Sequence, residues 1–238
     1  MPSPTRGSPG LVLKVGGEPF LFDSGSGTLE RLLRAGIDYR QVDYIFYTHR
    51  HTDHTVDLAS FLLATVTTPG FQRERDLFIV GPKGFQRFFE KLLSLYPWLK
   101  PRSYRINIRE VWQGRLRSSR YIVEARPTGH TTDSIGYRVE AEGKVFVYSG
   151  DAVYCPSLVQ LARKADLLVL ECSFPNELEA EGHLTPSLAG KIAAEAGAKR
   201  LVLTHFYPVC DQYGIEGQCR AVYNGEVIIA QDLMRLEV

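Results

Sequence analysis

The sequence predicts an α/β fold in a single domain, and three observations support this prediction. The chain has 238 residues, of which 44% are apolar, and this is enough for one large hydrophobic core. Short apolar or alternating runs typical of strands are interleaved with stretches of helical periodicity. Histidines and aspartates follow several strand-like runs, and catalytic groups gather on loops at strand ends because rigid sheets position them.

The first predicted elements form a β-hairpin. Residues 11–15 and 19–23 alternate in polarity on either side of Gly16 and Gly17, a hairpin signal. Residues 23–28 are rich in serine and glycine and are predicted to form a loop.

A helix and a short buried strand are predicted next. Gly36 ends the helix, and residues 43–48 form the strand, whose end delivers His49. A second amphipathic helix follows, and its aromatic stripe is expected to be core rather than a base-stacking platform. The apolar positions of the two helices are Leu29, Leu32 and Leu33, and then Phe85, Phe88, Phe89, Leu92 and Leu93.

The second half of the chain repeats this plan, with a candidate ligand at or near the end of each strand. Thr185 and Pro186 predict the N-cap and first residue of a helix that ends at Gly197. The buried face of this helix is expected to carry Ala189, Ile192, Ala193 and Ala196. The predicted strands are residues 104–112, 121–125, 135–141, 144–149, 167–171 and 200–204.

All six histidines lie at the ends of strand-like runs or just before a helix. They are His49, His51, His54, His130, His183 and His205. Neutral imidazole and carboxylate are good ligands for first-row metals, and three such donors plus a water make an open catalytic zinc site. Together with Asp53 and Asp151, the histidines provide more donors than one metal site requires. The sequence therefore predicts a binuclear hydrolase.

Composition limits the classes of partner. Lys and Arg number 28 against 27 Asp and Glu, so no global positive field attracts nucleic acid. The composition does not exclude a local positive patch. The first ten residues are turn-formers without an apolar signal core, and no run is long enough to span a membrane. Four cysteines without tight pairs predict a reducing cytoplasm. Cys210 and Cys219 are expected to be ordinary thiols, with a disulfide or an extra metal clip as the alternative.

The order of ligands resembles a known superfamily. His49-x-His51-x-Asp53-His54, followed by His130, Asp151 and His205, is similar to the ligand series of the metallo-β-lactamase superfamily. The resemblance implies a four-layer αβ/βα sandwich, with two mixed β-sheets flanked by helices and the metals at one edge of the sheets.

Within the superfamily, the chain resembles the ribonuclease Z-like branch of tRNA 3′-endonucleases and short phosphodiesterases. The similar segments are residues 21–25, 54–58, 80–84, 134–138, 148–151, 183–186 and 203–206. The chain departs from the pattern of this branch in two places, one that bears on the substrate and one at the start of the chain. The branch usually carries a long tRNA-gripping arm where this chain has only Glu142 and Gly143, and it opens with an extra strand that is absent here or lost by truncation.

The resemblance implies a role for each ligand. One zinc ion is held by His49, His51 and His130, the other by Asp53, His54 and His205, and Asp151 bridges the two; Mn²⁺ or Fe²⁺ fits the same donors. A hydroxide bridging the metals is the expected nucleophile. Asp53 is expected to orient it, and His183, outside the metal shell, to protonate the departing oxygen or stabilise its charge. Chains of this branch are commonly homodimers.

Further residues near these motifs have functional and structural interpretations that the sequence leaves open. Asp23 is either a carboxylate that orients a ligand imidazole or a turn-stabilising residue. Arg6 and Lys83 either contact substrate phosphates or are solvated surface residues. Tyr154 and Tyr207 either line the pocket or pack against neighbours. Glu171 and Glu177 are candidate partners of His183.

The predicted function is phosphodiester hydrolysis, at an RNA 3′ end or in a small or cyclic diester, and the missing arm favours the smaller substrates. The alternative is a thioester or lactone metallohydrolase of the glyoxalase II or lactonase type, and His183 argues against it. Oxidoreductase relatives place a carboxylate at the position of His51, which disfavours redox chemistry. A non-catalytic module would have degraded ligands, and none is degraded here.

Overall fold

The computed structural model describes residues 3–178 and 180–238. The chain divides into two compact units, an N-terminal unit, Gly7–Val111, and a C-terminal unit, Trp112–Val238, which also includes Ser3–Arg6. Each unit contains one mixed β-sheet with helices against it, as the resemblance implies. The single domain over residues 1–238 stays a prediction.

The N-terminal unit has a five-stranded sheet in the order β1-β2-β3-β4-β5. The β1 and β2 strands form the predicted antiparallel hairpin, and the other pairs are parallel. The strands are β1 (Leu11–Val15), β2 (Glu18–Phe22), β3 (Tyr44–Phe46), β4 (Leu77–Gly81) and β5 (Ile106–Glu110). The helices are α1 (Thr28–Arg34), α2 (Thr52–Thr55), α3 (Leu58–Thr67) and α4 (Phe85–Leu95).

The core of this unit forms where helices meet one face of the sheet. Leu21, Ile45 and Ile79 come from adjacent strands, and they share a buried cluster with Phe61 of α3 and Phe85 of α4. The aromatic stripe of α4 is therefore core, as predicted. Packing of this face leaves the strand ends and their loops to carry polar groups.

The C-terminal unit has a seven-stranded sheet in the order β12-β11-β10-β9-β8-β7-β6. Its β9 to β12 strands pair in parallel, and β6 to β9 pair antiparallel. The strands are β6 (Gly114–Arg117), β7 (Tyr121–Pro127), β8 (Ile135–Ala141), β9 (Lys144–Tyr148), β10 (Leu167–Glu171), β11 (Arg200–Thr204) and β12 (Glu226–Ile229). The helices are α5 (Pro156–Ala162), α6 (Pro186–Ala196) and α7 (Ile215–Arg220).

Two local predictions in this unit are confirmed. Thr185 caps α6 by accepting a hydrogen bond from the backbone N–H of Leu188, and Gly197 ends the helix at a φ of 62°. Glu142 and Gly143 form the tight turn between β8 and β9, both with positive φ. The β8–β9 connection is thus two residues long.

No helix within residues 3–178 and 180–238 combines the length and apolar character needed to span a bilayer.

Candidate metal centre

In the N-terminal unit, one loop after β3 carries four candidate ligands. His49 is fully buried, and its ring centroid lies 4.5 Å from that of His51 and 4.1 Å from that of His54. His51 occupies the N-cap position of α2, so Asp53 and His54 lie on the first turn of this helix. The ligand atoms of His49 and His51 lie within 4.8 Å of each other, as do those of Asp53 and His54.

Asp23 orients this loop from the end of β2. Its Oδ2 accepts a hydrogen bond from His54 Nδ1 at 2.8 Å, and its Oδ1 accepts one from the backbone N–H of Thr48 at 2.8 Å. The Thr48 hydroxyl donates to Asp23 and lies 3.1 Å from His49 Nδ1, from which it accepts. Of the two interpretations of Asp23, the structure supports a hydrogen-bond partner of the His54 imidazole. With both Nδ1 atoms acting as donors, Nε2 is the nitrogen through which either imidazole would bind a metal.

In the C-terminal unit, Asp151 lies between two imidazoles. Its Oδ2 is 3.6 Å from His130 Nε2, and its Oδ1 is 3.3 Å from His205 Nε2. The side chain is 3% exposed, and the Thr128 hydroxyl donates to its backbone carbonyl at 2.8 Å. One carboxylate with an oxygen towards each imidazole has the arrangement that a bridging ligand requires.

The two imidazoles beside Asp151 are also held through Nδ1. His130 Nδ1 donates to the carbonyl of Gly182 at 2.6 Å, and His205 Nδ1 lies 2.9 Å from Ser173 Oγ. His205 follows β11 in the left-handed region, with a φ of 60°. A non-glycine residue in this region stores backbone strain and persists where its surroundings fix it.

Glu171, at the end of β10, connects the groups of the C-terminal unit. The carboxylate is fully buried. Its Oε1 accepts from the backbone N–H of Ala152 and from His183 Nδ1, both at 2.9 Å. Its Oε2 accepts from the backbone N–H and the hydroxyl of Ser173, at 3.2 and 2.5 Å. One carboxylate therefore holds the Asp151 loop, the serine that orients His205, and His183.

The ligand atoms of Asp151, His183 and His205 lie within 4.8 Å of one another. His183 thus lies near the candidate ligands of its own unit, and its Nδ1 donates to Glu171. Sequence reasoning considered Glu171 only for His183 and missed Ser173 and Gly182. The position of Ser173 just after a strand end was the available signal.

Other candidates have structural partners. Arg6 forms a bidentate ion pair with Asp211, and this hydrogen bonding raises the pKa of Arg6 and lowers that of Asp211. Glu177 accepts from Gln218 rather than from His183. The Tyr154 hydroxyl donates to a glutamate of α6, and Lys83 is exposed.

All four cysteines are thiols, which agrees with the prediction for Cys210 and Cys219. They are Cys155, Cys172, Cys210 and Cys219. Burial raises the pKa of Cys210 and of Cys219 to about 11, so both are protonated at neutral pH.

The donor set in each unit fits a divalent first-row metal. It consists of imidazole nitrogens and carboxylate oxygens, which suit zinc, manganese or iron. Hydrogen bonds to the second ring nitrogen fix the tautomer and orientation of a ligand imidazole, and four of the candidate ligands have such a bond. They are His49, His54, His130 and His205.

Comparison with known proteins identifies the family of the chain. The family profile described as Beta-lactamase superfamily domain matches residues 19–206. Ribonuclease Z of Thermobifida fusca is 30% identical over an alignment of 298 residues that covers 100% of this chain and 91% of that protein. The chain belongs to the metallo-β-lactamase superfamily.

Solved structures give the same result at the level of the fold. The metallo-β-lactamase fold protein YhfI from Bacillus subtilis superposes with a TM-score of 0.84 at 26% identity, covering 97% of this chain and 92% of that one. The short form of human tRNase Z (ELAC1) superposes with a TM-score of 0.81 at 27% identity, covering 99% and 94%. Within the superfamily, the chain is a member of the ribonuclease Z-like branch, and it is a metal-dependent hydrolase.

Proposed function

We propose that the chain is a dinuclear zinc phosphodiesterase that cleaves phosphodiester bonds, either at RNA 3′ ends or in small or cyclic diesters. The observation that carries this proposal is the common orientation of the imidazoles. Four of the proposed ligands have Nδ1 hydrogen-bonded to a protein oxygen, which orients Nε2 as the metal donor. These are His49, His54, His130 and His205. Homologues named ribonuclease Z support the substrate class.

The ligand assignment follows the order of the family series. One metal is held by His49, His51 and His130, the second by Asp53, His54 and His205, and Asp151 bridges them. The 3.6 and 3.3 Å distances from the Asp151 oxygens to the Nε2 atoms of His130 and His205 support the bridging role. Zinc is preferred because mixed nitrogen and oxygen donors with an open position are typical of catalytic zinc.

Two residues of the chain transfer protons in this reaction. When bound, the metals lower the pKa of water to about 7 and offset charge on the phosphoryl oxygens. Asp53 orients the attacking water and takes its proton, and His183 gives a proton to the departing oxygen as the P–O bond breaks. Each turnover consumes one water and yields a monoester and an alcohol. Glu171 holds the His183 ring in place through its 2.9 Å hydrogen bond to Nδ1.

Three features support small diesters over tRNA as the substrate. The β8–β9 hairpin has a two-residue turn, so no arm is inserted there. The ribonuclease Z alignment runs over 298 residues against 238 in this chain, so that relative carries segments that this chain lacks. The formal net charge of +1 adds no general attraction for RNA.

A substrate panel on metal-replete protein tests the proposal. Bis(p-nitrophenyl) phosphate, a precursor tRNA, a thioester and a lactone are compared, with metal content measured by elemental analysis. We expect two metals per chain and turnover of the diester. Turnover of the lactone or thioester without diester cleavage would instead establish carbon-centred hydrolysis, and fewer than about one metal per chain would refute the dinuclear site.

Two variants separate ligand from proton donor. His183→Ala and Asp151→Ala should both lose diester turnover, but only Asp151→Ala should lose metal, because His183 is outside the proposed ligand set. Loss of metal in His183→Ala would show that His183 is itself a ligand.

We also propose a homodimer in the cytoplasm. The four thiols support a reducing compartment. Light scattering coupled to size exclusion tests the dimer, and a monomer at micromolar concentration would contradict it.

A further inference from the structure

Two aromatic rings lie beside the proposed proton donor in the C-terminal unit. Phe174 and Tyr207 stack with centroids 4.6 Å apart and planes 28° apart. The Phe174 ring lies 5.8 Å from the ring of His183, and the Tyr207 ring lies 6.1 Å from it and 6.2 Å from that of His205. The pair therefore borders the imidazoles to which we assign proton transfer and metal binding.

The position of this pair differs from that of a core aromatic. Both rings are half-buried, whereas Phe206, between His205 and Tyr207, belongs to the buried core of the unit. The backbone of Tyr207 is fixed, because its N–H donates to the carbonyl of Ser173 at 3.2 Å. Ser173 also orients His205, so one short segment positions both a candidate ligand and an aromatic face.

We propose that Phe174 and Tyr207 form a subsite for a nucleobase of the nucleotide attached to the scissile phosphate. This inference rests on the proposed phosphodiesterase function and specifies its substrate as a nucleotide diester. Every nucleobase has a π face that stacks on aromatic side chains, and such stacking tolerates any base. A sugar or alkyl group gains much less from a stacked ring pair. The subsite therefore prefers nucleotide over alkyl diesters without selecting one base.

Binding of two phosphate monoesters to metal-loaded protein isolates the contribution of the base. Adenosine 5′-monophosphate and ribose 5-phosphate share sugar and phosphate and differ in the base, and calorimetry gives both dissociation constants. We expect the nucleotide to bind roughly 10-fold tighter, since stacking on aromatic side chains has this magnitude. Uridine 5′-monophosphate should also bind tighter than ribose 5-phosphate.

Variants then assign this difference to the two rings. Phe174→Leu with Tyr207→Leu should bring the two dissociation constants together, and Tyr207→Phe, which keeps the ring, should retain the difference. Tyr154→Leu removes a tyrosine ring elsewhere in the same unit and serves as the matched control. Equal binding of the two ligands by the wild-type protein, or a difference that survives in the double variant, would overturn the proposal.

Two measurements keep this result separate from other failures. Circular dichroism and metal content show whether the double variant is folded and loaded, and the single variant Tyr207→Leu, with an intermediate loss expected, replaces it if it is not. The binding comparison does not depend on turnover. Absence of diester hydrolysis would therefore refute the proposed function, whereas the binding ratio alone decides the base subsite.

Discussion

Glu171→Gln is the substitution whose consequences the structure defines most closely. The buried carboxylate accepts four hydrogen bonds, two on each oxygen, from Ala152, His183 and Ser173. Glutamine has nearly the same shape, but one of its two acceptor positions becomes an NH₂ group. Either orientation of the amide therefore places a donor against a backbone N–H, of Ala152 or of Ser173.

The substitution is expected to lower both the free energy of unfolding and kcat. One buried donor without an acceptor costs about 1–3 kcal/mol, so the free energy of unfolding should fall by about this amount. Substitution of a group that orients a ligand or a proton donor typically lowers activity or metal affinity about 10- to 100-fold. We expect kcat on bis(p-nitrophenyl) phosphate to fall within this range, because His183 loses its charged partner and Ser173, which orients His205, is displaced.

Urea unfolding, metal content and kcat are measured together for this variant. Glu177→Gln is the matched control, because Glu177 is exposed and accepts its hydrogen bonds from the side chain of Gln218, and it should change none of the three quantities. An unfolding free energy within about 0.5 kcal/mol of the wild type, together with an unchanged kcat, would refute the role given to Glu171.

Three further predictions test other parts of the structure. Asp23→Ala should reduce metal affinity about 10- to 100-fold, because it removes the hydrogen bond to Nδ1 of His54. A competitive titration with a chelator measures this affinity, and an unchanged value would contradict the prediction. Burial raises the pKa of Glu124, but hydrogen bonds from two arginines outweigh it and lower the pKa. Glu124→Gln should therefore cost about 1 kcal/mol at pH 7. The difference should shrink as the pH falls below the ordinary glutamate pKa of about 4.3, because the unfolded chain then binds the proton more readily than the folded one, and urea unfolding at several pH values measures this. Cys155 is the most exposed of the thiols, so Ellman's reagent at pH 8 should modify one thiol rapidly in the native protein and four in urea, and rapid reaction of the buried Cys210 would contradict its raised pKa.

The elements that sequence reasoning placed correctly have strong local signals. The bounds predicted for β10 and β11 agree with the structure, because both strands are continuous apolar runs with polar residues at their ends. The helix α6 was placed by its Thr185 cap, Pro186 and Gly197. In these cases the residues that define an element lie within it or at its ends.

Two of the elements that were missed depend on contacts distant in sequence. The β6 strand, Gly114–Arg117, alternates arginine with apolar residues and is only four residues long. It is stabilised by antiparallel pairing with β7 and by the hydrogen bond from Arg115 to Glu124. The short helix α7, Ile215–Arg220, likewise depends on burial of Ile215 and Cys219 in the core. Neither element has enough local periodicity to be recognised.

The candidate ligands were predictable because their spacing forms a motif, whereas the groups that orient them were only partly so. Asp23 follows a strand and was considered. Gly182 contributes a backbone carbonyl to His130 across 52 positions of sequence, and a carbonyl leaves no signature in the residue type. The orientation of a ligand imidazole thus depends on tertiary structure even where the ligand itself is evident.

The strand order of the C-terminal unit explains why the orienting groups come from β10. In the sheet, β10 lies between β9 and β11, and all three are parallel, so their carboxyl ends meet at one edge. The outer two strands deliver Asp151 and His205, and the middle strand delivers Glu171, which reaches the Asp151 loop directly and His205 through the hydroxyl of Ser173. Glu171 is paired with Thr204 in the register of β10 and β11. Because side chains alternate between the faces of a sheet, a slip of one residue would turn Glu171 to the other face and separate it from both loops.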